Sequence, residues 1–204
     1  MKKVFLTVLL ALASLSAANA QEAEDNTFGG WIFTEVNHDF KNGMYVTGYF
    51  EHDNYQFQRL ECNYFRISAG YKILPWLKFG VNYVPVCEPG NQWLHYGEID
   101  LVGTLKSGNF KVSIRERYRH GFTNGKNELR SRLKVAYSIP NSKFGVYLAP
   151  EVFTWGNEWK KTRHYVAGTF NITDKIQLEA YYMYYAFKDE AAENVIGFGI
   201  NFDL

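Results

Sequence analysis

Along most of this chain apolar and polar side chains alternate with a period of two, in stretches of about ten residues, the spacing of a strand with one face apolar. From Leu77, the apolar set Leu77, Phe79, Val81 and Tyr83 alternates with Lys78, Gly80 and Asn82. From Leu129, the set Leu129, Leu133, Val135, Tyr137 and Ile139 alternates with Arg130, Arg132, Lys134 and Ser138. Two further stretches sort the same way: Ile176, Leu178, Ala180, Tyr182 and Tyr184, and Ile196, Phe198, Ile200, Phe202 and Leu204. Tight turns recur between these stretches at Lys41-Asn42-Gly43, Leu74-Pro75-Trp76, Ser107-Gly108-Asn109, Pro140-Asn141-Ser142 and Thr173-Asp174. Looser polar connections fall at 55–58, 88–92, 123–127, 156–162 and 188–193. Turns at one end and loops at the other predict an all-β, up-and-down antiparallel barrel. Strands of this length with one apolar face match a transmembrane barrel.

The pattern yields eleven segments: 27–40, 43–55, 59–73, 77–87, 93–106, 110–122, 128–139, 143–155, 163–172, 175–187 and 194–204. Bacterial single-chain barrels have an even strand number, so the expectation is ten or twelve. The first segment is the ambiguous one, because Trp31, Phe33 and Glu35 on one face oppose Ile32, Thr34 and Val36 on the other. Either residues 21–28 add a broken strand, or the first segment lies partly inside a ten-stranded barrel.

Residues 1–20 read as a secretory signal peptide, with Lys2 and Lys3, an apolar run from Val4 to Leu15 and an Ala18-Asn19-Ala20 cleavage site. The barrel domain is then 21–204, and the cysteine that a lipoprotein anchor needs is missing from the cleavage site. After cleavage no apolar run approaches the ~20 residues of a membrane helix. The 22 basic and 21 acidic side chains give no electrostatic reason for nucleic acid. Aromatics make up 18% of the chain, as interfacial girdles of a membrane barrel require. A soluble sandwich or lipocalin-like barrel shares the period, and differs in sending its apolar face inward.

Pairing across the turns brings lumen charges together. Glu98 and Asp100 fall close to Arg115, Arg117 and Arg119, those arginines face Arg130, Arg132 and Lys134, and Glu151 falls opposite Arg132. The structural reading of this basic double column flanked by carboxylates is a plug; the functional reading is a narrow pathway that favours small anionic solutes. Glu116 is sent towards lipid by the same register, which predicts a bulge or an interfacial position.

Two motifs add resemblances. Gly199-x-x-Phe202-x-Leu204 resembles the C-terminal assembly signal of Gram-negative outer-membrane proteins, with Leu204 where an aromatic is usual. The run 113–119 (SIRERYR) with 128–137 (ELRSRLKVAY), Trp31 early and Gly197-Phe198-Gly199-Ile200 late, resembles a family of small outer-membrane barrels known only as a domain of unknown function. That resemblance implies location and fold, and brings no catalytic residues.

Cys62 and Cys87 lie symmetrically about the Leu74-Pro75-Trp76 turn and are candidates for one disulfide in an exported protein. Strict parity puts them on different faces, and a bulge at Pro85 would reunite them. Neither has a Cys or His partner at metal-ligand spacing. His52, His95, His120 and His164 fall towards the loop end, near Glu51, Asp53 and Glu98, without a serine beside them. The sequence therefore predicts an outer-membrane barrel contacting lipid, without cofactor, acting as a narrow charge-lined channel or structural membrane component. A lipid- or peptide-directed hydrolase at the extracellular rim is the competing reading.

Overall fold

The structure, a computed structural model, describes residues 27–156 and 158–204. Signal-peptide residues 1–20 and most of the proposed 21–28 strand lie outside them. Eleven strands form one closed sheet: β1 Thr27–Asp39, β2 Met44–Tyr55, β3 Arg59–Leu74, β4 Leu77–Glu88, β5 Gln92–Ser107, β6 Phe110–Gly121, β7 Asn127–Ser138, β8 Phe144–Trp155, β9 Glu158–Asn171, β10 Ile176–Phe187 and β11 Glu193–Asp203. Ten successive pairs are antiparallel.

The strand number corrects the expectation of ten or twelve: it is eleven among the described residues. An odd sheet closes only if its first and last strands run the same way, and β1 pairs with β11 in parallel from Thr27↔Glu193 to Asn37↔Asp203. The first segment is a full member of the wall. The connections are short at both ends, and the loop expected over 156–162 is largely strand, since β9 begins at Glu158. It stays paired with β8 through a bulge that skips Lys160.

Local chemistry fixes the turns. Gly43 adopts φ +88° in a region that L side chains avoid, and the Asn42 side chain accepts a hydrogen bond from Met44 N at 3.1 Å. Thr173 Oγ1 likewise accepts from Lys175 N and Ile176 N at 3.1 Å each.

The faces sort inversely to those of a soluble protein. Ile67 is 68% exposed, Leu105 67%, Val166 56%, Ile114 54% and Val81 48%, whereas Arg117 is 2%, Glu98 3% and Glu151 1% exposed. Exposed apolar patches of this extent are rare on soluble monomers. Closure leaves no free sheet edge among the described strands, as a lipid-facing sheet demands. Among the described residues no helix is long and apolar enough to cross a membrane.

Inside, the apolar core sits against one side of the barrel. Trp31, Tyr147, Ala149, Ala167, Tyr181, Met183, Tyr185 and Val195 form a buried cluster on β1 and β8–β11. Strand β11 accommodates it with small residues: a Cβ on Gly197 would lie 1.9 Å from the Tyr181 ring, and one on Gly199 would lie 2.1 Å from Phe33. Both rings therefore rest on the β11 backbone.

Candidate functional site

The site is built by register. The β5·β6 ladder sets Glu98 opposite Arg119, Asp100 opposite Arg117 and Val102 opposite Arg115. The β6·β7 ladder sets Arg115 opposite Arg132 and Arg117 opposite Arg130, and β7·β8 sets Arg132 opposite Glu151. Directly opposed like charges repel, so the two basic columns need the carboxylates of β5 and β8.

Glu98 and Glu151 each serve two arginines, and Asp100 serves one. Arg117 grips Asp100 with both Nε and Nη2, at 2.5 and 2.6 Å, and reaches Glu98 through Nη1 at 3.1 Å. Arg119 donates to Glu98 at 2.7 Å through Nε and to the Tyr64 hydroxyl at 3.1 Å. Glu151, whose side chain is wholly buried, accepts from Arg115 at 2.5 Å and Arg130 at 3.4 Å. Forked guanidinium–carboxylate geometry of this kind holds both partners rigidly.

Arg132 and Lys134 line the lumen but stay outside these clusters. Although Arg132 faces Glu151 in register, the two carboxylate oxygens are taken by Arg115 and Arg130, and Arg132 has no ion pair within 4.0 Å among the described residues. The Lys134 ammonium sits 3.5 Å from the Tyr147 ring centroid, and Tyr147 donates to Glu179 at 2.5 Å.

Several lumen residues went unnoticed in the sequence. Arg66 pairs with Glu35 at 3.0 Å and stacks on Tyr49. Glu128 lies 4.0 Å from Arg130. Arg163 is packed among Trp31, Phe153 and Tyr185, its Cζ 4.4–5.1 Å from their centroids. Parity on β1 was the available signal for Glu35, which shares its lumen face with Trp31 and Phe33.

These side chains surround a cavity of about 400 Å³. It runs from Glu61 and Glu88 near the loop end to Glu179 and Asn201 near the turn end. Arg115, Arg117 and Arg119 line it, whereas Glu98 and Asp100 stand behind them. The surface met by a solute at this girth is therefore mainly guanidinium, with Glu151 among the arginines and the other counter-charges recessed.

The Cys62–Cys87 bridge is not formed in this structure. Both thiols are free. Cys87 pairs with Asn63 and Cys62 with Asp53, so the cysteines keep opposite faces. The β3·β4 pairing holds one register on both sides of Pro85, and the nearby bulge falls instead at Glu61, between β2 and β3. Cys62 donates to Asp53 at 3.3 Å.

None of His52, His95, His120 and His164 lines the cavity. Each lies on the outward parity of its strand and bonds to a neighbour there: His52 to Asn63, His95 to Tyr83, His120 to Asn127 and His164 to Thr162.

Residues 28–195 match the family described as protein of unknown function (DUF2490). The chain belongs to this family. No functionally curated protein is detectably similar to it. Among solved structures, one described as the NanC porin in a rhombohedral crystal form aligns over 86% of this chain and 98% of its own, with TM-score 0.60 and 15% identity. The KdgM porin aligns over 78% of this chain and 84% of its own, with TM-score 0.50 and 11% identity. At these identities the likeness concerns the fold, a closed barrel resembling porins.

Proposed function

We propose that this protein is a bacterial outer-membrane channel that passes small polar solutes passively, with a preference for those carrying a negative charge. The observation that carries this reading is the lumen cavity lined by Arg115, Arg117, Arg119, Arg130, Arg132 and Lys134 inside an apolar exterior. In a narrow lumen of low dielectric, fixed guanidinium groups attract anions and repel cations. The porin-like fold supports it, as do the signal-peptide pattern of residues 1–20 and the apolar belt, which together suit export and insertion in the outer membrane. With Glu98 and Asp100 recessed, the five arginines and Lys134 outnumber Glu151 on the lining at this girth, so positive charge is in excess there.

A structural membrane component is the second reading, favoured by how completely Glu98, Asp100 and Glu151 are buried and clamped across β5–β8. Conductance separates the two. Purified protein in planar bilayers, under a salt gradient, should give discrete current steps and a reversal potential on the anion-selective side. Assembled protein with no resolvable current would leave the structural role.

A further inference from the structure

Among the buried side-chain atoms that lack a hydrogen-bond partner among the described residues are Trp31 Nε1, Asp53 Oδ1 and Arg163 Nε, all in the loop half of the lumen. All three residues line the same cavity. Asp53 is directly opposite Trp31 in the β1·β2 ladder, and Arg163 stacks on Trp31 with its Cζ 4.7 Å from a ring centroid. A buried polar atom left unpaired loses its hydration without compensation, and Asp53 is only 5% exposed. Two donors and one acceptor are thus gathered around one aromatic floor.

The charges around them are arranged unlike those of the β5–β8 network. Glu51, Asp53 and Glu61 enter from β2 and β3, and Lys161 and Arg163 enter from β9. Glu51 accepts from the Tyr49 hydroxyl, Asp53 from Cys62, and Arg163 donates to the Tyr185 hydroxyl at 3.3 Å. Yet among the described residues none of the five makes an ion pair within 4.0 Å. Opposite charges face each other here without touching. Between them lie Trp31, Tyr181 and Tyr185, with Tyr185 edge-on to Trp31 and the Tyr181 ring resting on the β11 backbone at Gly197. No three His, Cys, Asp or Glu groups among the described residues are placed to hold a metal ion.

From this arrangement we infer that the loop half of the lumen binds small zwitterionic solutes, amino-acid or short-peptide in kind. The solute's carboxylate meets Lys161 and Arg163, its ammonium meets Glu51, Asp53 and Glu61, and its body lies over Trp31 and Tyr185. A solute with one charge satisfies one wall and is repelled by the other, which is how a site discriminates by opposing charge as well as by attraction. The inference rests on the channel reading and adds, to the anion-favouring girth of β5–β8, a loop-half site whose cargo carries both charges.

Three probes of one size isolate the charges: alanyl-alanine, N-acetyl-alanyl-alanine, which keeps only the negative charge, and alanyl-alanine amide, which keeps only the positive. Titration calorimetry on the folded full chain in detergent should show alanyl-alanine binding about tenfold or more tighter than either blocked form, a gap of about 1.4 kcal/mol. Asp53→Asn should lower affinity for alanyl-alanine and raise it for the acetylated form, and Lys161→Gln should lower affinity for alanyl-alanine and raise it for the amide. Heat-modifiable gel migration confirms that each variant is assembled; if Asp53→Asn fails to assemble, Glu61→Gln carries the same test. Equal or tighter binding of a blocked form, or binding of none of the three by assembled wild type, overturns the inference. Conductance without discrimination among the probes leaves the channel and removes this site, whereas discrimination without conductance does the opposite.

Discussion

Glu116 shows how a single residue can oppose the rule its strand obeys. It stands midway along β6 on the outward parity, flanked by Ile114 and Tyr118, which are 54% and 46% exposed. The sequence predicts a bulge or an interfacial position for it, but the β6 ladders run without a register shift. What supports it instead is Ser131, directly opposite on β7, whose hydroxyl donates to Glu116 at 2.5 Å. A carboxylate on a lipid face still costs more than an apolar side chain. Glu116→Leu should therefore stabilise the barrel by about 1 kcal/mol, and Ser131→Ala should destabilise it by about 1 kcal/mol, in reversible urea unfolding from lipid vesicles. The cysteines give a second test at this scale. Their opposite faces predict two alkylated thiols when unreduced protein is denatured with a maleimide present; a mass unchanged by the reagent would show a bridge.

At the scale of the element, the seam between β1 and β11 decides the architecture. Thr34 pairs with Ile200 in parallel, both on the outer face. Cysteines at these two positions should cross-link in the assembled protein, since paired strands bring Cα atoms within the roughly 7 Å a disulfide allows. A twelfth strand between them would abolish the cross-link. The same seam depends on glycine. Gly197→Val places a Cβ in the Tyr181 ring, and overpacking of this kind costs about 1–3 kcal/mol. Heat-modifiable migration should show assembly weakened by Gly197→Val and partly restored when Tyr181→Ala is added, because the second change removes the ring that the first collides with.

For the whole molecule, the question is whether the β5–β8 network gates a pathway or fills one. Arg117 is held by Asp100 and Glu98, while Arg132 has no ion pair among the described residues. The double variant Arg117→Gln/Arg132→Gln should weaken anion preference in bilayer recordings, as a lumen stripped of two fixed charges must. It should also cost stability, of order 3–5 kcal/mol, because Asp100 and Glu98 lose a buried partner. Arg132→Gln alone separates these effects. With no carboxylate to orphan, it should shift the reversal potential and leave urea midpoints nearly unchanged.

Much of this molecule follows from local pattern. The period of two along 77–83, 129–139 and 176–184 and the turns at Asn42-Gly43 and Thr173-Asp174 determine strands, hairpins and faces, because each depends on neighbours in sequence. Hairpin register does the same for the acid–base–base–acid order of Asp100, Arg117, Arg130 and Glu151, since one turn fixes the pairing of every residue beyond it. Closure depends on the whole chain. The parallel pairing of β1 with β11 joins its most distant strands, and no local pattern requires it. Aromatic residues on β1 were ambiguous for a physical reason: Trp and Phe suit lipid and a packed lumen equally, so only the third dimension sends Trp31 and Phe33 inward. Parity placed Cys62 and Cys87 on opposite faces, and the absence of a bulge at Pro85 kept them there. Which arginines reach a carboxylate was also decided in space. Glu151 has two oxygens and three arginines within its register, and geometry gave them to Arg115 and Arg130, leaving Arg132 to face the lumen.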